Sequence, residues 1–158
     1  MTAIKQGDPA PDVRLTDQHG RSFDLAEFRG KKWVVLFFYP KDDSPVCTRE
    51  ACVFRDTYEQ FVGAGAEVVG VSSDSVESHK TFAEKQRLPF RLLSDADGAV
   101  RKAFGVPKTM GVFPGRVTYV IDPGGVVRLT FNSQLNAAGH VAEALRVLRE
   151  SGERPSPK

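Results

Sequence analysis

The run Trp33-Val34-Val35-Leu36-Phe37-Phe38-Tyr39 constrains this chain more than any other stretch. An unbroken apolar segment, rich in β-branched and aromatic side chains, reads as a strand buried on both faces. Such strands belong to the parallel part of an α/β sheet, where helices cover both sides. The run Glu67-Val68-Val69-Gly70-Val71-Ser72 has the same character. Between the two lies an amphipathic stretch that opens at Ser44-Pro45 and ends at Gly63-Ala64-Gly65. Strands alternating with helices in this way argue for an α/β sandwich.

The rest of the chain extends that alternation. Residues 13–16 and 21–23 read as a hairpin around Asp17-Gln18-His19-Gly20, and Asp24 caps a short helical turn over 25–28 that Gly30 stops. Asp74 or Ser75 caps a helix running through Phe82 to about Gln86, and residues 89–93 form another short strand. A short helix over 99–104 ends at Gly105, and residues 110–115 read as a loop. Residues 117–121 form a strand that turns through Asp122-Pro123-Gly124-Gly125 into a last strand over 126–131. Residues 138–149 carry helical periodicity at Val141, Leu145 and Leu148. This order predicts an α/β chain with a mixed central sheet flanked by helices and an N-terminal β-hairpin extension. It resembles a thioredoxin-like fold, which by itself assigns no function.

Composition narrows the function classes. One domain over 1–150 with a flexible tail over 151–158 suits a chain of 158 residues. A net charge of +2, from 22 basic and 20 acidic residues, is too balanced for a nucleic-acid or anionic-membrane protein. No apolar run approaches the ~18 residues of a membrane span. Residues 1–7 lack the apolar core of a signal peptide, so a cytoplasmic placement is expected. In that compartment Cys47 and Cys52 are expected as thiols rather than as a structural disulfide.

Both cysteines lie on the helix after the first strand. Ser44 suits its N-cap and Pro45 its first position, so Cys47 falls at the third helical position. A thiolate there meets unpaired backbone N–H groups and the positive end of the helix dipole. At an ordinary pKa of ~8.5 only about 3% of a thiol is ionised at pH 7. A helix terminus contributes about 0.3–1 kcal/mol, which is too little alone, so a further cation or donor is required. Arg49 and Arg55 are local candidates, and Ser44 is a local donor. At 100° per residue, Ala51, Phe54, Tyr58, Phe61 and Val62 fall within about 60° of Cys47, on the inward face. Cys52 lies ~140° away, on the polar side. Their α-carbons are roughly 8.7 Å apart in an intact helix, beyond the ~7 Å limit for a disulfide. A bond between them requires the first turns to unwind. The residues alone leave two other readings open: Cys47 as an inert core thiol and Cys52 as a bystander.

At these residues the chain resembles the peroxiredoxins, in particular the bacterioferritin-comigratory-protein or PrxQ branch. The resemblance rests on Pro40-Lys41-Asp42-Asp43-Ser44-Pro45-Val46-Cys47 and on Thr48-Arg49-Glu50-Ala51-Cys52. Gly115-Arg116-Val117-Thr118-Tyr119-Val120-Ile121-Asp122, the opening Gly7-Asp8-Pro9-Ala10-Pro11-Asp12 and the Val69-Gly70-Val71-Ser72 strand extend it. It spans roughly residues 5 to 150. Ser44 stands where Thr is usual in the branch, and Val46 where Gly is usual. The resemblance implies a thiol peroxidase that reduces hydrogen peroxide and organic hydroperoxides. It implies Cys47 as the peroxidatic thiol, Cys52 as the resolving thiol, Arg116 as the activating cation, Ser44 as a peroxide hydrogen-bonder and Pro40 as a shield against water. The implied product is a disulfide within one chain, reduced by thioredoxin or glutaredoxin, in a monomer or weak homodimer without a metal or organic cofactor.

Competing classes are a dithiol–disulfide exchange protein, whose usual Cys-x-x-Cys spacing is absent, and a non-catalytic binding module. His19, His79 and His140 show no ligand spacing, and Asp42-Asp43 reads as a solvated loop.

Overall fold

The computed structural model describes residues 4–42, 44–106, 108–109, 113–114, 116–133 and 136–153; for 108–109, 113–114 and 151–153 it describes the backbone alone. The chain begins with the hairpin β1 (Arg14–Asp17) and β2 (Ser22–Asp24). A 3-10 turn at Leu25–Phe28 follows, capped by the Asp24 carboxylate as expected. Then come β3 (Trp33–Phe38), α1 (Pro45–Gly63), β4 (Ala66–Ser72), α2 (Val76–Gln86), β5 (Arg91–Ser94) and α3 (Ala99–Phe104). Ser75 rather than Asp74 caps α2, its hydroxyl accepting from the Ser78 N–H. The expected loop at 110–115 is partly outside the described residues; β6 (Lys108–Thr109) and β7 (Phe113–Pro114) pair as a small hairpin there. The chain closes with β8 (Val117–Ile121), β9 (Val127–Asn132) and α4 (Ala137–Glu153). α4 runs past the expected domain edge at 150, and 154–158 lie outside the described residues.

The main sheet has the order β2-β1-β5-β4-β3-β8-β9. β3, β4 and β5 are parallel; β8 and β9 are antiparallel, and the hairpin joins antiparallel to β5. The mixed α/β sheet is therefore the one expected. The hairpin is more than an appendage, because it completes one edge of that sheet.

β3 alternates between two cores. Val35 and Phe37, with Tyr39 just beyond, pack with Cys47, Phe54 and Phe61 of α1 and with Val141, Leu145 and Leu148 of α4. Val34, Leu36 and Phe38 pack on the other face with Val100 and Phe104 of α3. The period of two in the strand thus supplies both layers. On α1 the buried residues are Cys47, Glu50, Ala51, Phe54 and Phe61. Val62, expected inward, is 47% exposed. The buried stripe is centred on the Glu50 side of Cys47, and Val62 stands about 60° away on the opposite flank.

Asp42 overturns the expectation of a solvated loop. It is buried just beyond the end of β3. Its carboxylate accepts from the Tyr39 hydroxyl at 2.6 Å and the Ser78 hydroxyl at 2.8 Å, and lies 2.7 Å from His79 Nδ1. The Asp42 N–H donates to Asp74 at 2.7 Å, and His79 Nε2 lies 2.9 Å from the Leu93 carbonyl. Burial first, and Asp42 second, push the Tyr39 hydroxyl well above its ordinary value, so it stays a donor. The network latches the loop entering α1 to α2 and β5. Asp43 lies outside the described residues.

Gly70 packs where a side chain has no room. A β-carbon there would lie 2.7 Å from Phe37 Cζ and 2.9 Å from Leu92 Cδ2. Gly70→Ala is therefore expected to lose about 1–3 kcal/mol of stability through overpacking. Urea unfolding at unchanged slope is the measurement. Asp42→Ala strips the latch of its shared acceptor, so the Tyr39 and Ser78 hydroxyls and His79 Nδ1 lose their carboxylate partner. We expect a loss of about 3 kcal/mol or more by the same assay, with Asp42→Asn intermediate.

Candidate active site

The site begins where β3 ends and α1 starts. Ser44 is the N-cap residue, with extended backbone, and Pro45 takes the first helical turn. The Ser44 hydroxyl does not cap the helix; it donates to the Lys41 carbonyl at 3.0 Å. That bond folds the loop back on itself and leaves the first-turn N–H groups without a side-chain cap. The first turn carries no acidic residue to take the cap's place. Pro40 is half-buried between Tyr39 and the Asp42 latch.

Cys47 is 1% exposed and sits among Phe37, Tyr39 and Phe54. Arg116, directly before β8, is also buried and donates from Nη2 to Cys47 Sγ at 3.1 Å. β8 runs antiparallel to β3 with Val117 opposite Phe38, which carries Arg116 to the end of β3 where α1 begins. Arg116 is thus the cation that the structure brings against Cys47. Arg49 is exposed on the surface, and Arg55 binds Asp56 and the Gln86 carbonyl.

Three further groups stand around this pair. Arg116 Nη1 donates to Glu50 Oε1 at 2.8 Å, and Glu50 is fully buried. Burial, opposed by Arg116, pushes the Glu50 carboxyl up to about 7. His140 of α4 lies behind Glu50, and burial pulls it down to about 4. Arg101 of α3 donates to the Tyr39 carbonyl at 2.8 Å and stacks over Phe38. Burial lowers Arg101 from its ordinary value, with Asp95, Tyr119 and Cys47 acting against that shift.

Cys52 is half-buried rather than on an open polar face. Its thiol donates to Gln86 Oε1 at 3.4 Å, at the C-terminal end of α2. Both cysteines are free thiols on one continuous helix. The structure therefore brings Cys47 and Arg116 into contact, sets Ser44 and Pro40 at the helix start, and holds Cys52 apart.

Glu50, His140, Arg101 and the Asp42–His79 pair were missed in the sequence. Glu50 was readable: three residues after Cys47 it falls about 60° away, and a carboxylate on an inward helix face is a signal. His140 shares a helical stripe with Ala144 and Leu148, which also marked it as inward. Nothing local distinguishes Asp42 from Asp43, and Arg101 reads as an ordinary helix cation. Asp42, Asp74 and His79 also place three candidate metal-ligand atoms within 4.8 Å of one another. Asp42 and His79 already engage each other and Leu93, while Asp74 accepts from the Asp42 N–H and the Ser72 hydroxyl.

Known proteins are similar to this chain along most of its length. The AhpC/TSA family model matches residues 6–130. Peroxiredoxin Q of Sedum lineare, named as chloroplastic, is 52% identical over 147 residues, covering 92% of this chain and 78% of that one. The solved Mycobacterium tuberculosis peroxidoxin BcpB superposes with a TM-score of 0.87 at 39% identity, over 96% of this chain and 99% of that one. The bacterioferritin comigratory protein of Xanthomonas campestris, solved in work on its alkyl peroxide reduction activity, gives 0.84 at 32% identity, over 97% and 100%. The plant relative's name lends no support to the cytoplasmic placement expected from sequence; among the described residues, no helix is long and apolar enough to cross a membrane. The thioredoxin-like fold is shared with these structures, and the chain belongs to the AhpC/TSA family, within which it is a peroxiredoxin of the PrxQ or bacterioferritin-comigratory-protein branch, a thiol peroxidase.

Proposed function

We propose that Cys47 is the peroxidatic thiol of this enzyme and Cys52 its resolving thiol. The observation that carries the reading is the 3.1 Å contact between Arg116 Nη2 and the buried Cys47 sulfur. A charge-assisted hydrogen bond of this kind supplies what a helix start alone does not. The thiolate attacks one oxygen of a hydroperoxide, and the O–O bond breaks. Cys47 becomes a sulfenic acid, while the departing oxygen leaves as an alkoxide or hydroxide and takes up a proton. Arg116 and the uncapped N–H groups of the first turn stabilise the negative charge as it moves between the oxygens. Ser44, released from Lys41 by rotation about its side chain, donates to or accepts from the peroxide. Pro40 keeps bulk water off the reacting atoms.

Cys52 then attacks the Cys47 sulfur, forming an S–S bond within one chain and releasing water. An intact α1 keeps the two α-carbons roughly 8.7 Å apart, so the first turns unwind for this step. An external dithiol, thioredoxin or glutaredoxin, restores both thiols by exchange. The cycle needs no second subunit, which suits a monomer or weak homodimer. It suits any compartment that keeps thiols reduced, the cytosol or the plastid named for the plant relative.

Stopped-flow mixing of the reduced protein with hydrogen peroxide tests the first step. Fast oxidation is expected, lost in Cys47→Ser; a rate no greater than that of free cysteine sinks the reading. Arg116→Gln is expected to lower the rate constant about 100-fold while the protein stays folded by circular dichroism. Cys52→Ser is expected to accumulate a sulfenic acid at Cys47, trapped by dimedone and located by mass spectrometry. An interchain bond through Cys47 in the oxidised native protein refutes the assignment of Cys52.

A further inference from the structure

Glu50 Oε2 is buried and has no hydrogen-bond partner among the described residues. The group beside it is His140, whose Nδ1 lies 3.5 Å away, and both side chains are sealed from solvent. The ring's other contacts fix its hydrogens. His140 Nε2 lies 2.7 Å from the Ser133 carbonyl, which only accepts, so Nε2 carries a hydrogen. In the neutral ring Nδ1 is then an acceptor, and the Thr118 hydroxyl, 2.8 Å away, donates to it. An ionised Glu50 sets its oxygen lone pairs against the lone pair on Nδ1. A single extra proton removes that conflict on either atom. On Oε2 it points toward Nδ1, sharing that nitrogen's one lone pair with the nearer Thr118 hydroxyl; on Nδ1 it donates toward Oε2, and the Thr118 oxygen turns to accept.

We propose that Glu50 and His140 hold one proton between them during peroxide reduction, and that this proton leaves the charge of Arg116 to the Cys47 sulfur. The proposal rests on Cys47 as the reacting thiol. Without the proton the site holds a thiolate, a guanidinium and a carboxylate, and the carboxylate competes for Arg116 Nη1 at 2.8 Å. With it, the thiolate and guanidinium balance. His140 touches neither sulfur nor peroxide, so it is a positioning residue that acts through Glu50 and Arg116.

The charged neighbours agree with this assignment. Glu50 faces Arg116 at the start of β8, His140 on α4, and Cys47 one turn earlier on its own helix. Arg101 on α3 acts on the sulfur from the other side of the sheet end. Burial drives the Glu50 carboxyl up to about 7 and His140 down to about 4, so near neutral pH the shared proton rests on Glu50. Ser133, just after β9, joins the two sides: its N–H donates to the Arg116 carbonyl at 3.3 Å, and its carbonyl accepts from His140 Nε2 on α4.

The test is the pH profile of peroxide oxidation in Cys52→Ser protein, paired with NMR of the histidine ring nitrogens. The rate is expected to fall about fivefold or more on the alkaline side through a one-proton step near pH 7. Glu50→Gln is expected to abolish that step, and His140→Phe to move its midpoint by about half a pH unit or more. By NMR, His140 stays in the Nε2–H tautomer, and its Nδ1 resonance shifts through the same step in the parent protein but not in Glu50→Gln. A rate that stays flat above neutrality, a step that Glu50→Gln retains, or an Nδ1 resonance that does not respond overturns the proposal. If Cys47 were not the reacting thiol, rapid oxidation would be missing altogether while the NMR step persisted.

Discussion

The interaction on which the site depends is the forked grip of Arg116 on two buried partners, the Cys47 sulfur and the Glu50 carboxylate. A guanidinium sealed from water is costly unless each face of its fork finds an acceptor. Here one nitrogen takes a sulfur and the other a carboxylate oxygen, so the cation is held in one orientation before any peroxide arrives. A lysine at this position brings the charge but cannot hold both partners with one planar group. The geometry is rigid for a second reason. Cys47 and Glu50 are one turn apart on α1, so the spacing of their acceptors is set by the helix itself.

The fold supplies the meeting point. β3 lies inside the sheet between parallel β4 and antiparallel β8. The parallel neighbour forces a crossover helix, which is α1 with its cysteines. The antiparallel neighbour begins where β3 ends, which brings Arg116 to the start of that helix. One strand therefore places the thiol by its covalent continuation and the cation by its hydrogen-bonded partner. The aromatic layer beneath keeps the placement firm: Phe37 stacks on Phe54 with ring centres 4.6 Å apart, and Gly70 gives Phe37 the room to lie there.

How much of this was legible in the sequence follows from the range of each interaction. The parallel core strands, the helix start at Ser44-Pro45 and the Asp24 cap were readable, because periodicity and capping act within a few residues. The inward face of α1 was readable except at its rim, where Val62 fell outside a stripe that only the packing partners could centre. Arg116 entered through a family resemblance; no local rule links it to a cysteine far along the chain. Asp42 was misread, and its pairing with His79 missed, for the same reason. Each looks solvated or bland alone, and only the adjacency of β3, β4 and β5 turns them into a buried pair. Glu50 is the exception, since its helical phase relative to Cys47 was there to be used.

The two anchors around the helix start have different chemistry, and that difference bears on the proposed cycle. Asp42 is held by hydrogen bonds to Tyr39, Ser78, His79 and Asp74, none of which changes when sulfur is oxidised. Cys47 is held by Arg116, and that hold is strong only while the sulfur carries charge. In that cycle, conversion to a neutral sulfenic acid removes the ion-pair part of the contact: the guanidinium still donates, but to an uncharged acceptor. The proposed reaction thus weakens the grip on the turn that the proposed disulfide would open, while the Asp42 latch keeps its partners. On the far side, Cys52 remains against Gln86 at the end of α2. The moving segment is then bounded, with Asp42 as the fixed point before it and the packed part of α1 after it. Val46, half-buried in that first turn, stands inside those bounds, in the stretch that the proposed opening would move.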